Sequence, residues 1–316
     1  MTRQQAAGAK IVTVTLNPAI DQTVRVDDFA ANQVNRAQAM QFDAGGKGVN
    51  VASFLVDYGL GVTATGFLGD ANAQIFEVLF AVKGIGDRFV HLPGYTRTNV
   101  KIVDETQQQT TDINMRGLAP TKLALQELQE TIADLAQTHD WFVLSGNLPP
   151  GVPETIYADL IAQIKAQGRQ VALDASQAAL QAGLLAGPTL AKPNIHELEQ
   201  ILGDTLTTET AVIAAARQLL DMGIELVVVS RGEQGALLVT ETEVVTAVPP
   251  QIPVKSTVGA GDAMVAGLIA GRIAQLPLPD LARLATAFSL EAVSRVGAHL
   301  PDLQALRERM SQVLVR

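Results

Sequence analysis

Four short runs rich in β-branched and aliphatic residues, Ile11 to Leu16, Trp141 to Leu144, Val171 to Leu173 and Leu226 to Val229, lack the alternation of apolar and charged residues that marks a half-exposed strand. Strands of this kind are buried on both faces, which requires a parallel sheet covered by helices on either side. Between these runs the apolar spacing becomes helical: Leu125, Leu128, Ile132 and Leu135; Ile156, Leu160 and Ile164; Val212, Ala215, Leu219 and Met222. The alternation predicts an α/β chain, doubly wound around a mostly parallel central sheet. Leu303, Leu306, Met310 and Val313 repeat the helical spacing and predict a last helix that closes against that sheet.

Two stretches, about 22–43 and 95–116, break the rhythm. They are polar, carry no helical stripe and contain alternating pieces such as Val100 and Ile102, or Thr111 and Ile113, the pattern of half-exposed strands. A helix-and-strand portion separates them, so they are expected to meet as one discontinuous β element projecting from a single domain that spans residues 1–316. No 20 to 50 residue repeat and no linker divides the chain.

With 47% hydrophobic and 17% charged residues, the 316-residue chain is too apolar for a disordered protein. Its 23 basic and 32 acidic residues leave a net charge of −9, which argues against a nucleic-acid or anionic-membrane footprint. The absence of cysteine excludes disulfides, cysteine-ligated zinc, iron–sulfur clusters and thiol nucleophiles. Only four histidines occur, and His196-Glu197 lacks the second histidine of a zinc-protease helix. Met1 to Lys10 has no apolar leader and no uncharged apolar run reaches about 18 residues, so a cytoplasmic protein is expected.

The segment most suggestive of chemistry is Ser256-Thr257-Val258-Gly259-Ala260-Gly261-Asp262, followed by a helix apolar on all sides. Gly259 and Gly261 leave consecutive N–H groups unobstructed at a helix start, where an anion can sit. Asp262 either complements the helix dipole or serves as a general base beside that nest. Ala44-Gly45-Gly46-Lys47-Gly48-Val49-Asn50 opens a second helix after Asp21; its glycines are turn residues or a phosphate cradle with Lys47 as point charge. Weaker signals are Arg97, the capping-box pattern at Asn194 and Glu197 after Lys192, and the turn Ser230 to Gly235. The chain has neither a Gly-x-Ser-x-Gly elbow nor a Gly-x-Gly-x-x-Gly dinucleotide loop, so serine hydrolase and dehydrogenase readings lose their usual support.

Taken in order, six segments resemble the ribokinase-like, PfkB-type carbohydrate kinases, and within them the branch holding the 1-phosphofructokinases, with tagatose-6-phosphate kinases next. The segments are Thr-Leu-Asn-Pro-Ala-Ile-Asp (15–21), Ala-Gly-Gly-Lys-Gly-Val-Asn (44–50), Thr-Arg-Thr-Asn-Val-Lys (96–101), Ser-Gly-Asn-Leu-Pro-Pro-Gly (145–151), Lys-Pro-Asn-Ile-His-Glu-Leu (192–198) and Ser-Thr-Val-Gly-Ala-Gly-Asp (256–262). The resemblance implies a three-layer α/β/α fold with a mostly parallel sheet and a small β lid over a sugar site. It implies ATP-dependent phosphorylation of fructose 1-phosphate at its 6-hydroxyl, with tagatose 6-phosphate as the alternative acceptor and a catalytically silent sugar-phosphate sensor as a second alternative.

By the same resemblance Asp262 is the catalytic base and Gly259, Ala260 and Gly261 form the anion hole. Asp21, Gly45, Gly46 and Asn50 hold sugar hydroxyls, and Lys47, Arg97 and Ser145 face the substrate's own phosphate or its neighbourhood. Lys192, Asn194, Glu197, Ser230, Gly232 and Gly235 lie on the ATP side, with Asn194 and Glu197 organising the water shell of Mg²⁺. A homodimer through the lid is implied as well. Ala263 and Asn147 stand where many such kinases carry serine, and neither change removes an expected charge.

Overall fold

The computed structural model describes residues 10–295 and 297–316. Of the stretch Met1 to Lys10 considered above, residues 1–9 lie outside the described residues. The chain begins with β1 (Ile11–Thr15), β2 (Ala19–Val26), β3 (Ala37–Gly45), α1 (Lys47–Tyr58), β4 (Val62–Gly69), α2 (Gln74–Lys83), β5 (Gly86–Asp87) and β6 (Val90–Leu92). It continues with β7 (Thr98–Asp104), β8 (Gln109–Ile113), α3 (Lys122–Leu135), β9 (Trp141–Gly146), α4 (Ile156–Ala166), β10 (Gln170–Ala175), α5 (Gln177–Leu185) and β11 (Leu190–Ala191). The remainder holds α6 (Ile195–Leu202), α7 (Glu209–Leu220), β12 (Leu226–Ser230), β13 (Ala236–Val239), β14 (Val244–Val248), α8 (Ala260–Ile273), α9 (Leu278–Val293), α10 (Leu303–Gln312) and β15 (Leu314–Val315).

The large sheet runs β15-β14-β13-β12-β11-β10-β9-β1-β4-β5, with β6 also paired to β4. It is parallel from β12 to β5, and β13, β14 and β15 add an antiparallel edge. Two separate cores explain why the strands carry no alternation. Ile11, Val143, Ala172 and Val228 pack on one face against α1, α8 and α9, while Val12, Leu144, Val171 and Val227 pack on the other against α3, α4 and α7. Successive strand residues point to opposite faces, and here both faces are apolar. The last helix forms where the spacing of Leu303 to Met310 places it, burying Leu306 and delivering β15 to the sheet edge.

The helix α8 owes its all-round apolar character to being wedged between the sheet and α9. Close approach depends on Gly267, where an added Cβ would come within 2.7 Å of Ala285 Cα and 3.1 Å of the Phe288 ring.

The strands β2, β3, β7 and β8 make a second, four-stranded sheet in the order β3-β2-β7-β8. Its register places Asp21, Asn99, Lys101 and Asp112 on one face, and Val24, Met40, Phe42, Val100, Ile102 and Ile113 on the other. β2 leaves β1 through Leu16 to Pro18 and β3 runs directly into α1, so this small sheet hangs from the C-terminal end of the large one. Among the described residues no helix is long and apolar enough to cross a membrane.

Replacing Gly267 with alanine should destabilise the protein by about 1–3 kcal/mol, the usual effect of overpacking a close helix pair. The midpoint of denaturant unfolding measures it; a midpoint equal to that of the wild type would show that α8 and α9 separate freely.

Candidate active site

A cleft of about 660 Å³ opens at the C-terminal ends of β1, β9, β10 and β12, roofed by the polar face of the small sheet. Open parallel α/β sheets bind ligands at this edge, because the loops that follow the strands converge there. Thirteen of the residues expected at a site line it: Asp21, Gly46, Lys47, Asn50, Arg97, Ser145, Lys192, Asn194, Glu197, Ser230, Gly259, Gly261 and Asp262. Gly45, Ala260, Gly232 and Gly235 do not.

Asp262 sits in the first turn of α8, and only 6% of its surface is exposed. Asn50, on α1, donates from Nδ2 to its Oδ2 at 2.8 Å and fixes the carboxylate in the cleft. Burial is the strongest influence on this group and pushes its pKa up to about 6, with Asp174 adding to the rise while Lys47, the Asn50 hydrogen bond and Lys192 oppose it. A buried carboxylate whose pKa approaches neutrality is suited to accept a proton.

Gly259 caps α8 in the left-handed region at φ 81°, and Gly259 and Gly261 face the cleft. The helix start thus presents amides and positive dipole to an anion. Ala260 is turned away: its N–H reaches back to Thr257 O at 3.4 Å and its carbonyl accepts Ser289 Oγ at 2.8 Å. The Lys192 ammonium lies on the cleft side of Gly261, 3.5 Å from where a Cβ would stand.

The centre of the floor holds a charge cluster that the sequence reading did not contain. Asp174, at the end of β10 and 1% exposed, lies 3.3 Å from Lys47 Nζ and 3.2 Å from Lys192 Nζ. Burial disfavours its charge, but the two ammonium groups prevail and hold the carboxyl below its usual range. The pairing with Asp174 likewise raises the pKa of Lys47, which stays a cation. The signal in the sequence was an acid ending the apolar run Val171 to Leu173, at the strand end where site residues gather.

On the small-sheet side, Asn99 Nδ2 donates to Asp21 Oδ1 at 3.2 Å, and burial raises the Asp21 pKa. Gly45 does not reach the cleft; it packs against the Asp21 carboxylate, which any side chain there would displace. Ser145 is fully buried, and its Oγ, like that of Thr15 beside it, has no hydrogen-bond partner among the described residues. Arg97 donates to three backbone carbonyls, Pro18 at 3.2 Å, Met115 at 3.1 Å and Asn17 at 2.9 Å, so it ties the small sheet to the β1–β2 turn while its charge remains at the cleft wall. Asn99, Lys101, Asp112 and Asn114 line the cleft unforeseen. The alternation through Arg97, Asn99 and Lys101 could have revealed that they share a face.

Asn194 and Glu197 form a reciprocal capping box at α6: Asn194 Oδ1 accepts from Glu197 N at 2.8 Å and Glu197 Oε2 from Asn194 N at 2.9 Å. One carboxylate oxygen of Glu197 is left for the cleft. Gly232 and Gly235 shape the turn from β12 to β13, where a side chain at Gly235 would strike Ala247 and Pro249.

Asn50→Leu should raise the Asp262 pKa by about one pH unit or more, since a hydrogen bond to a charged group is worth about 1.5–3 kcal/mol and favours ionisation. Carboxyl-carbon NMR through a pH titration reads this directly. An unchanged or lower pKa would mean that Asn50 does not hold the ionised form.

The pfkB family of carbohydrate kinases matches residues 14–305. A 1-phosphofructokinase of Rhodobacter capsulatus is 50% identical over 308 residues, covering 97% of this chain and 98% of the relative. A 1-phosphofructokinase of Xanthomonas campestris is 44% identical, covering 96% and 97%. Among solved structures, phosphofructokinase-2 from Escherichia coli in complex with fructose-6-phosphate superposes with a TM-score of 0.88 at 29% identity, covering 96% of this chain and 98% of that one. These matches and the three-layer architecture bear out both the resemblance carried by the six motifs and the ribokinase-like fold it implied. The chain belongs to the pfkB family of carbohydrate kinases.

Proposed function

We propose that this kinase transfers the γ-phosphoryl group of ATP to the 6-hydroxyl of fructose 1-phosphate, giving fructose 1,6-bisphosphate and ADP. The observation that carries the reading is the buried Asp262 carboxylate beside the open start of α8, in a cleft whose floor holds Lys47 and Lys192 paired to Asp174. A sensor without transfer chemistry would have no need to keep an ionisable group where its burial is costly. Support for the acceptor comes from relatives named 1-phosphofructokinase, among them those at 50% and 44% identity.

In this reading Asp262 takes the proton of the 6-hydroxyl as that oxygen bonds to the γ-phosphorus. The bond from phosphorus to the bridging oxygen breaks, and ADP departs with the electron pair. Such transfer depends on positioning and on neutralising charge over the phosphoryl oxygens. The amides of Gly259 and Gly261, with Lys192 alongside, meet that charge; Ala260, turned away, is left out of the anion hole. Lys47, Lys101 and Arg97 supply positive charge for the substrate's own phosphate, while Asp21, Asn50 and Asn99 offer partners to its hydroxyls. Ser145 lies on the floor in the neighbourhood of that phosphate, with its hydroxyl unpartnered among the described residues.

No group of three His, Asp or Glu side chains that could hold a metal ion occurs among the described residues. The free Glu197 oxygen fits a Mg²⁺ held mainly by nucleotide phosphates and water. When bound, that ion offsets the negative charge of the phosphates. Gly46 shapes the start of α1 beneath the sugar, and Ser230 faces the nucleotide side. Gly232 and Gly235 act on that side only through the turn they form. Both substrates are multiply charged and do not cross a bilayer unaided, which supports a cytoplasmic site of action.

The small sheet acts as the lid of the sugar site. Its outer face leaves Met40, Phe42 and Ile113 exposed, an apolar surface that a second copy of the same face would cover. A homodimer through the two lids follows.

Measured by coupled ADP release, fructose 1-phosphate should give the highest kcat/KM in a panel with tagatose 6-phosphate and fructose 6-phosphate. Lys47→Ala should lower that value about ten- to a hundredfold by removing a charge-assisted contact, with nucleotide affinity little changed. A higher value for tagatose 6-phosphate would overturn the acceptor. Light scattering should give a dimer mass for the wild type and a monomer for Phe42→Asp; a monomeric wild type with full activity would exclude the lid dimer.

A further inference from the structure

We infer that Asp174 is a positioning residue, which from the floor of the cleft anchors the ammonium groups of Lys47 and Lys192 so that each is held ready for the phosphate on its own side. The inference rests on the proposed division of the cleft, with Lys47 serving the sugar phosphate and Lys192 the nucleotide.

The geometry is specific. Lys47 Nζ is 3.3 Å from both oxygens of Asp174, and Lys192 Nζ is 3.2 Å from Oδ1. Asp174 is the only carboxylate within salt-bridge distance of either lysine among the described residues. The two lysines arrive from distant parts of the chain, one at the first position of α1 and the other just after β11. One oxygen pair at the end of β10 therefore ties together two parts of the cleft that no backbone pairing joins.

Burying such a cluster is a poor way to gain stability, because removing the ions from water roughly cancels their attraction. Its benefit lies elsewhere. Lysine carries a point charge on a flexible four-carbon stem, and ordering that stem at the moment of binding costs conformational entropy. A carboxylate shared by both orders them beforehand. The two lysines and Asp174 together keep one net positive charge, so the floor still attracts phosphate. Lys47 remains 39% exposed and can reach a ligand without leaving its anchor, whereas Lys192, at 4%, lies beside Gly261.

Asp174 also carries a charge that opposes ionisation of Asp262, so its removal is visible in the pH profile, while the separate KM values report whether each lysine is held. In Asp174→Asn, KM for fructose 1-phosphate and for ATP should each rise about tenfold, the scale of a weakened charge-assisted contact. The acidic limb of the kcat–pH profile should move to lower pH. In a Lys47→Met background the same change should raise the ATP KM but leave the sugar KM where Lys47→Met put it. A Lys192→Met background should show the reverse.

Lower thermal stability with both KM values and the pH limb unmoved would overturn the inference. If Lys47→Met alone left the sugar KM unaltered, the division of the cleft would fall, and the anchoring would be decided without any ligand. Nitrogen-15 spectra of the unliganded wild type should show slowly exchanging ammonium signals for Lys47 and Lys192, assigned by Lys→Arg substitution. Rapid exchange at both would contradict the anchoring even if Asp174→Asn does not fold.

Discussion

Everything at the site depends on keeping charged groups ionised in a place poor in water. Two carboxylates, Asp174 and Asp262, lie almost fully buried at one end of the sheet, yet they titrate in opposite directions. Asp174 has two ammonium groups in contact and remains an anion. Asp262 has one amide donor and only more distant cations, so burial prevails and its pKa rises to about 6. Environments that separate two acids in this way divide their tasks, one a fixed charge and the other a group that can gain and lose a proton.

The fold delivers these groups by ending strands in the right places. Thr15, Ser145, Asp174 and Ser230 all belong to the C-terminal ends of parallel strands, so a parallel sheet brings distant segments to one edge. Glycines set the fine spacing. Gly45 lets the Asp21 carboxylate press against β3, and Gly48 lets α1 descend onto Thr15 and the carbonyl of Val14, which puts Lys47 and Asn50 within reach of their acidic partners.

The layered fold and most of the cleft were legible in the sequence because each had a local cause. Buried parallel strands show apolar runs, helices show their period, and glycine-rich stretches mark the helix starts at Gly46 and Gly259 that open onto the cleft. What escaped notice lacked a local cause. Asp174 has meaning only beside Lys47 and Lys192, which are 127 residues before it and 18 after it. Asn99, Lys101 and Asn114 belong to the cleft through the pairing of β7 with β2 and β8. The antiparallel strands β13 to β15 escaped as well, since a two-residue edge strand such as β15 shows no period. In the other direction, Gly45, Gly232, Gly235 and Ala260 sit inside matching motifs but do not line the cleft, because a motif records the backbone path as well as the ligand contacts.

The proton acceptor is the central claim, and Asp262→Asn tests it with almost no change of shape. The native state holds the Asp262 proton up to pH about 6, whereas the unfolded chain releases it near 3.8, so the group's contribution to stability falls as pH rises through that window. At pH 8 the variant should therefore unfold at a temperature equal to or above that of the wild type and bind ATP normally. Turnover should fall by about 10²–10⁴-fold, the usual contribution of a positioned base. A folded, ATP-binding variant that kept more than half of the wild-type turnover would contradict the account.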